Sequence, residues 1–84
     1  MSCVLNKDVC NMAIYQHGLN DRIRRHYPQL SDMEYLIHTN DDYPGAQKTC
    51  LYRSKHAGGY HMDTRVVFET VNGTCRPNFT LSNM

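Results

Sequence analysis

Arg65-Val66-Val67-Phe68-Glu69-Thr70-Val71-Asn72-Gly73-Thr74-Cys75 decides how this chain is read. Seven residues rich in β-branched and aromatic side chains form the strongest strand signal present. Asn72-Gly73 then supplies the dipeptide best suited to a two-residue hairpin turn, because both of its positions tolerate positive φ. The pattern predicts a strand, a tight turn, a return through Thr74-Cys75 and a continuation through Phe79-Thr80-Leu81. By strand alternation Val66 and Phe68 face one side and Val67 the other.

Upstream, Thr49-Cys50-Leu51-Tyr52 reads as a short strand, separated from the first by the Ala57-Gly58-Gly59 break. Asn40-Asp41-Asp42-Tyr43-Pro44-Gly45 is a loop or turn cluster. Ser31-Asp32-Met33-Glu34 has the letters of a capping box before Tyr35-Leu36-Ile37, and they suit a polar turn between strands equally well. Ile23 to Leu30 reads as an edge strand, because Pro28 forces Tyr27 out of the α region. Nearer the start, Asn6 or Asp8 caps a helix over about 7–17, with Val9, Met12, Ala13 and Gln16 at helical spacing and Gly18 ending it. The expectation is an α+β domain spanning 1–84, with one N-terminal helix packed on a twisted antiparallel sheet.

Eighty-four residues bury a marginal core, although 40% hydrophobic content and eight aromatics mark a folding chain. Four cysteines, Cys3, Cys10, Cys50 and Cys75, are dispersed with no C-x-x-C pair, which fits disulfides better than zinc. A bridge from Cys3 or Cys10 to Cys75 closes the longest loop and constrains the unfolded chain most. Cys3, Cys10 and His17 recur every seven residues, but two helical turns separate them too far to share a metal. No metal or cofactor is expected. Asn72-Gly73-Thr74 and Asn78-Phe79-Thr80 are glycosylation sequons and, with the cysteines, point to secretion. No apolar-cored leader is visible, so a secreted chain is expected to have lost its signal peptide. No stretch approaches the roughly 18 apolar residues of a membrane span. Residues 1–44 carry four basic and six acidic side chains, residues 45–84 five and two, so the C-terminal half is mildly basic. That half interleaves Tyr, His and Arg without forming a nucleic-acid patch by charge alone.

Taken in order, Tyr27-Pro28, Glu34, Asp42-Tyr43-Pro44 and Arg65-Val66-Val67-Phe68 resemble the motif series of the fungal guanyl-specific ribonucleases and their ribotoxin relatives. The resemblance spans roughly residues 3–81 and implies a helix packed on an antiparallel sheet that opens at Tyr-Pro. It also implies roles. Asp42 stands where the family keeps a catalytic Glu, and Arg65 keeps the phosphate-stabilising position. Gln29 replaces the first histidine and cannot exchange a proton near neutral pH. Phe79-Thr80-Leu81-Ser82 offers no final histidine. The guanine-reading segment resembles Ser31 to Glu34, with Glu34 as base acceptor and Met33 in place of the stacking aromatic. RNA cleavage of this kind needs a base, an acid and a cation, and the first two are missing.

The sequence is thereby similar to the catalytically inactive ribonuclease-like effectors of powdery-mildew fungi. That implies a secreted monomer acting in the host cytoplasm, which binds a host protein or structured RNA and is open to detection by a plant immune receptor. Tyr27, Gln29, Glu34, Tyr43, Tyr60, His61 and Arg65 are the expected binding residues, with Arg65 on phosphate and Tyr27, Tyr43 and Tyr60 stacking on bases. Two alternatives remain open. One is an active ribonuclease that recruits His56 or His61, and the other is a cytosolic phage or bacterial inhibitor or toxin with reduced cysteines.

Overall fold

The computed structural model describes residues 3–41 and 43–84. Its elements run α1 (Lys7–Gln16), α2 (Leu19–His26), β1 (Glu34–Thr39), β2 (Lys48–Lys55), β3 (His61–Val71) and β4 (Thr74–Asn78). The four strands form one antiparallel meander in the order β1-β2-β3-β4. The fold is therefore α+β as expected, with two helices in place of one.

Asn6 caps α1 by accepting the Val9 N–H on its side chain at 2.8 Å. His17 closes the helix and Gly18 follows at φ +61°, a left-handed position that only glycine takes at no steric cost. That one residue also begins α2, so the two helices are joined by a single sharp corner.

The segment from Ile23 onward is helical up to His26, which corrects its reading as an edge strand. Pro28 restricts only the residue before it, and Tyr27 has left the helical region at φ −137° and ψ 79°. The proline thus ends a helix that has already formed. Leu19 and Ile23, four residues apart and both fully buried, supply the core-facing stripe. Asp21 lies in the first turn and Arg24, Arg25 and His26 in the last, matching the helix dipole.

Ser31 to Glu34 does not cap a helix. The Ser31 hydroxyl accepts the Lys55 N–H at 2.8 Å, Asp32 pairs with Arg24 of α2, and the Met33 N–H donates to Asn20 Oδ1 at 2.7 Å. The Ser31 hydroxyl that would cap a helix is engaged across the fold instead, and the chain stays extended into β1.

β3 and β4 meet through Asn72 at φ +51° and Gly73 at φ +77°, a two-residue turn of type I′ as the dipeptide predicts. β4 ends at Asn78, which corrects the expected strand through Phe79-Thr80-Leu81. Asn78 Oδ1 accepts the Thr80 and Leu81 N–H groups and turns the chain. Ser82 and Asn83 then return to β3, where Ser82 Oγ accepts from the Val67 N–H and Asn83 Oδ1 from the Arg65 N–H.

The inner sheet face carries Cys50 and Tyr52 of β2 with Val66 and Phe68 of β3, packed against Cys10, Ala13, Ile14, Leu19 and Ile23 of the helices. Leu5, Leu30 and Met33 complete this core. Two disulfides tie the layers together, Cys10–Cys50 between α1 and β2 and Cys3–Cys75 between the N-terminal segment and β4. The second is the expected bridge to Cys75. With all four cysteines bonded, none is a thiolate available to a metal.

Replacing Cys3 and Cys75 together by serine opens a closure of 72 residues. The chain-entropy model values such a closure at about 4 kcal/mol, so the melting temperature should fall by roughly 15 °C or more; an unchanged melting curve would remove the bridge from the account. Phe68 is 4% exposed on the helix-facing side, and Phe68→Ala should cost about 3–5 kcal/mol in denaturant unfolding.

Candidate functional site

The outer sheet face, opposite the helices, is set by strand register. Thr39 of β1 faces Thr49 of β2, Leu51 faces Arg65 of β3, Arg53 faces Asp63, and Lys55 faces His61. An irregularity between Tyr35 and Ile37 of β1 shifts the pairing by one residue, so Ile37 opposes Leu51 and Thr39 reaches the outer face.

The β1–β2 loop follows Thr39. Its Tyr43-Pro44-Gly45-Ala46 segment closes with Ala46 N–H donating to the Tyr43 carbonyl at 2.9 Å. Proline at the second position and Gly45 at φ +84° at the third are what a type II turn requires. Asn40 anchors the base of this loop, its Oδ1 accepting from the Leu5 N–H at 2.7 Å and its Nδ2 donating to the Leu5 carbonyl at 2.6 Å.

Between this loop and the sheet lies a polar cleft of about 320 Å³, with Thr39, Asp41, Tyr43, Gln47, Thr49 and Arg65 among its walls. Arg65 is exposed, and its guanidinium makes no ion pair or hydrogen bond to the described residues. Tyr43 is 66% exposed, so its ring is open to a ligand. Of the residues singled out in the sequence, the structure brings these two together. Asp42, the expected remnant of the catalytic carboxylate, lies outside the described residues.

The others lie elsewhere. Gln29 sits in the turn after α2, its carbonyl accepting the Ala57 N–H at 3.0 Å. It lines a shallow depression of about 370 Å³ with Pro28, Ser31, Lys55 and His56 at the far end of the sheet. Tyr60 stacks on His56 there, ring centroids 4.4 Å apart and planes 9° from parallel, while His56 Nδ1 accepts from the Gly58 N–H at 2.8 Å. Tyr27 is the exposed C-cap of α2. His61 shares the outer face with Arg65 but is four residues away along β3, about 13 Å. Glu34 lies across from Arg53, which already holds Asp63 through Nε at 2.8 Å and NH2 at 3.2 Å.

The Arg53 hydrogen bond keeps the Asp63 carboxyl below its ordinary range, so that pair stays ionised and mutually satisfied. His17, at the end of α1, is held below its ordinary value first by burial and then by the nearby Arg76 charge. His38 Nδ1 shares a 2.7 Å hydrogen bond with the Tyr35 hydroxyl. No histidine is among the residues that line the Arg65 cleft. The contributions of Thr39, Asp41, Gln47 and Thr49 were missed in the sequence, since a loop folding back over a strand two elements away leaves no local signal.

No helix is long and apolar enough to cross a membrane among the described residues. No protein-family model, no curated protein and no solved structure matches the chain.

Proposed function

We propose that the protein is a non-catalytic, ribonuclease-like secreted effector that binds RNA through the Arg65 cleft, acts in a host cell's cytoplasm and is open to detection there by a plant immune receptor. The observation that carries the binding step is the unneutralised Arg65 guanidinium beside the exposed Tyr43 ring. A guanidinium offers a planar fork of donors to phosphate oxygens, and a tyrosine face stacks on any base. Together they fit one nucleotide.

Lack of turnover follows from the side chains at hand. Cleavage through the ribose 2′-hydroxyl needs a proton acceptor and a proton donor within hydrogen-bond reach of the phosphate, worth about 10²–10⁴-fold each. Gln29 is displaced to the other end of the sheet as well as unable to titrate, and the described cleft walls carry no histidine. Asp41 is the described carboxylate there, and it has no partner acid of suitable type. The helix-before-sheet order and the two disulfides agree with a small exported chain of this type.

The RNA reading is preferred to a protein ligand because the cleft is polar, with a cation at its wall that makes no ion pair with the described residues. Tyr27 and Tyr60, expected to stack alongside Arg65, stand too far off to serve the same nucleotide.

Titration of labelled single-stranded RNA should give weak binding without cleavage. With one or two phosphates neutralised, affinity should fall about three- to sevenfold between about 50 and 200 mM salt. Arg65→Ala should weaken all sequences alike and lower the salt slope by about one, whereas Tyr60→Ala should leave binding within about twofold. Absence of binding at low salt would transfer the cleft to a protein ligand, and strand scission by pure protein would overturn the non-catalytic reading.

A further inference from the structure

The two sequons are alike as letters and differ in what the fold does with them. Asn72 occupies the first corner of the β3–β4 turn, is exposed, and makes no hydrogen bond through its carboxamide to the described residues. Thr74, the hydroxyl residue of that sequon, is exposed at the first position of β4. Both groups that a glycosyl transferase must grip project from a hairpin tip.

Asn78 is fully employed. Its Nδ2 donates to Glu69 Oε2 at 3.1 Å, and its Oδ1 accepts the Thr80 N–H at 3.0 Å and the Leu81 N–H at 3.2 Å. Its carbonyl also accepts from the Ser82 hydroxyl at 2.7 Å. This side chain turns the C-terminal segment back onto β3, and it is half-buried in doing so. A glycan on its nitrogen would push a bulky, hydrated group into that turn and displace the Glu69 contact.

We infer that Asn72 is the site of N-linked glycosylation in this protein and that Asn78 is left unmodified in the folded product. This rests on the secretory part of the proposed function and not on RNA binding. In the reaction the Asn72 Nδ2 forms a bond to C1 of a lipid-pyrophosphate-linked oligosaccharide. The bond from C1 to the pyrophosphate oxygen breaks, the lipid pyrophosphate departs, and the amide proton passes to a base on the transferase. A chain modified at Asn72 folds with every native hydrogen bond kept, whereas one modified at Asn78 folds against its own C-terminal turn.

The glycan's position also bears on the cleft. Seven residues of extended strand separate Arg65 from Asn72, roughly 23 Å. A sugar chain leaving the hairpin tip starts from the end of the sheet where the β1–β2 loop also lies, since Lys48 pairs with Phe68, four residues before Asn72.

The test uses the full chain behind a cleavable leader in a eukaryotic secretory host, with intact mass read before and after peptide-N-glycosidase. Thr74→Ala and Thr80→Ala each delete one sequon while leaving the asparagines, and hence both turns, in place. The expected result is one glycan on the native chain, lost completely in Thr74→Ala and fully retained in Thr80→Ala, with enzymatic release converting Asn72 to Asp in the peptide map. A secreted, fully disulfide-bonded native chain without a glycan would overturn the inference, as would a glycan that disappears with Thr80→Ala. Because the leader commits the chain to the pathway, either failure leaves the RNA titration standing as a separate measurement.

Discussion

The Cys10–Cys50 bridge and the Tyr52 hydroxyl beside it hold the two layers of this protein in register. Cys10, Cys50 and Tyr52 are all fully buried, and the Tyr52 hydroxyl donates to the Cys10 carbonyl at 2.7 Å. That carbonyl stays within the helix hydrogen-bonding pattern while also receiving a donor from the sheet. Burial drives the Tyr52 ionisation far above its ordinary range, so the hydroxyl remains a neutral donor at any physiological pH. A covalent bond and a hydrogen bond thus join the same turn of α1 to two successive inward positions of β2. The helix can neither slide along the strand nor rotate about its own axis without breaking one of them. In a domain whose core is marginal for its length, that restraint decides the packing of Ile14, Leu19, Ile23 and Phe68 around it.

The outer face inherits its geometry from this arrangement. Once β2 is fixed, β1 and β3 follow by hydrogen-bonded register, and Arg65 is placed one strand away from Thr49. The cleft still needs its loop. That loop is secured from the N-terminal segment, through the paired Leu5 and Asn40 contacts and the Lys48 ammonium on the Cys3 carbonyl. Cys3 is itself bonded to Cys75 of β4. The second disulfide therefore acts on the cleft indirectly, since it anchors the strand of chain to which the β1–β2 loop is tied.

What could be read from the sequence was what local chemistry dictates. Asn72-Gly73 demands a turn with two positive φ values, and Asn6 before an apolar-periodic run demands a helix start; both are where they were expected. The disulfide partner of Cys75 could be placed near the N-terminus because closing the longest loop restrains the unfolded chain most. α2 was hidden by Pro28, whose effect reaches one residue back and was extended over five. The signal against that reading was the Leu19 and Ile23 pair at helical spacing, together with cations gathered before the proline. The cleft was only half legible. Arg65 and Tyr43 were each identifiable by type, but their meeting depends on a one-residue slip in β1 and on a loop anchored by Asn40, neither of which leaves a local trace.

The structure departs from the ribonuclease resemblance at Tyr27-Pro28, where the sheet was expected to open. Tyr27-Pro28-Gln29 does not open the sheet; it turns the chain out of α2 and packs against the β2–β3 hairpin, with Leu30 bridging to His56. Substituting a histidine at Gln29 would therefore place it near His56 and Lys55, the length of a strand from Arg65, and would supply no proton to a phosphate held in the cleft. A proton-transfer group at position 29 is thus kept from Arg65 by the fold itself, whatever its residue type. The remaining charges on the outer face reinforce this. Arg53 and Asp63 satisfy each other, and Glu34 faces the same guanidinium, so the middle of the face offers little attraction to a polyanion. Arg65, beyond that pair, makes no ion pair with the described residues, and an anion held in the cleft would meet Tyr43 and the polar loop beside it.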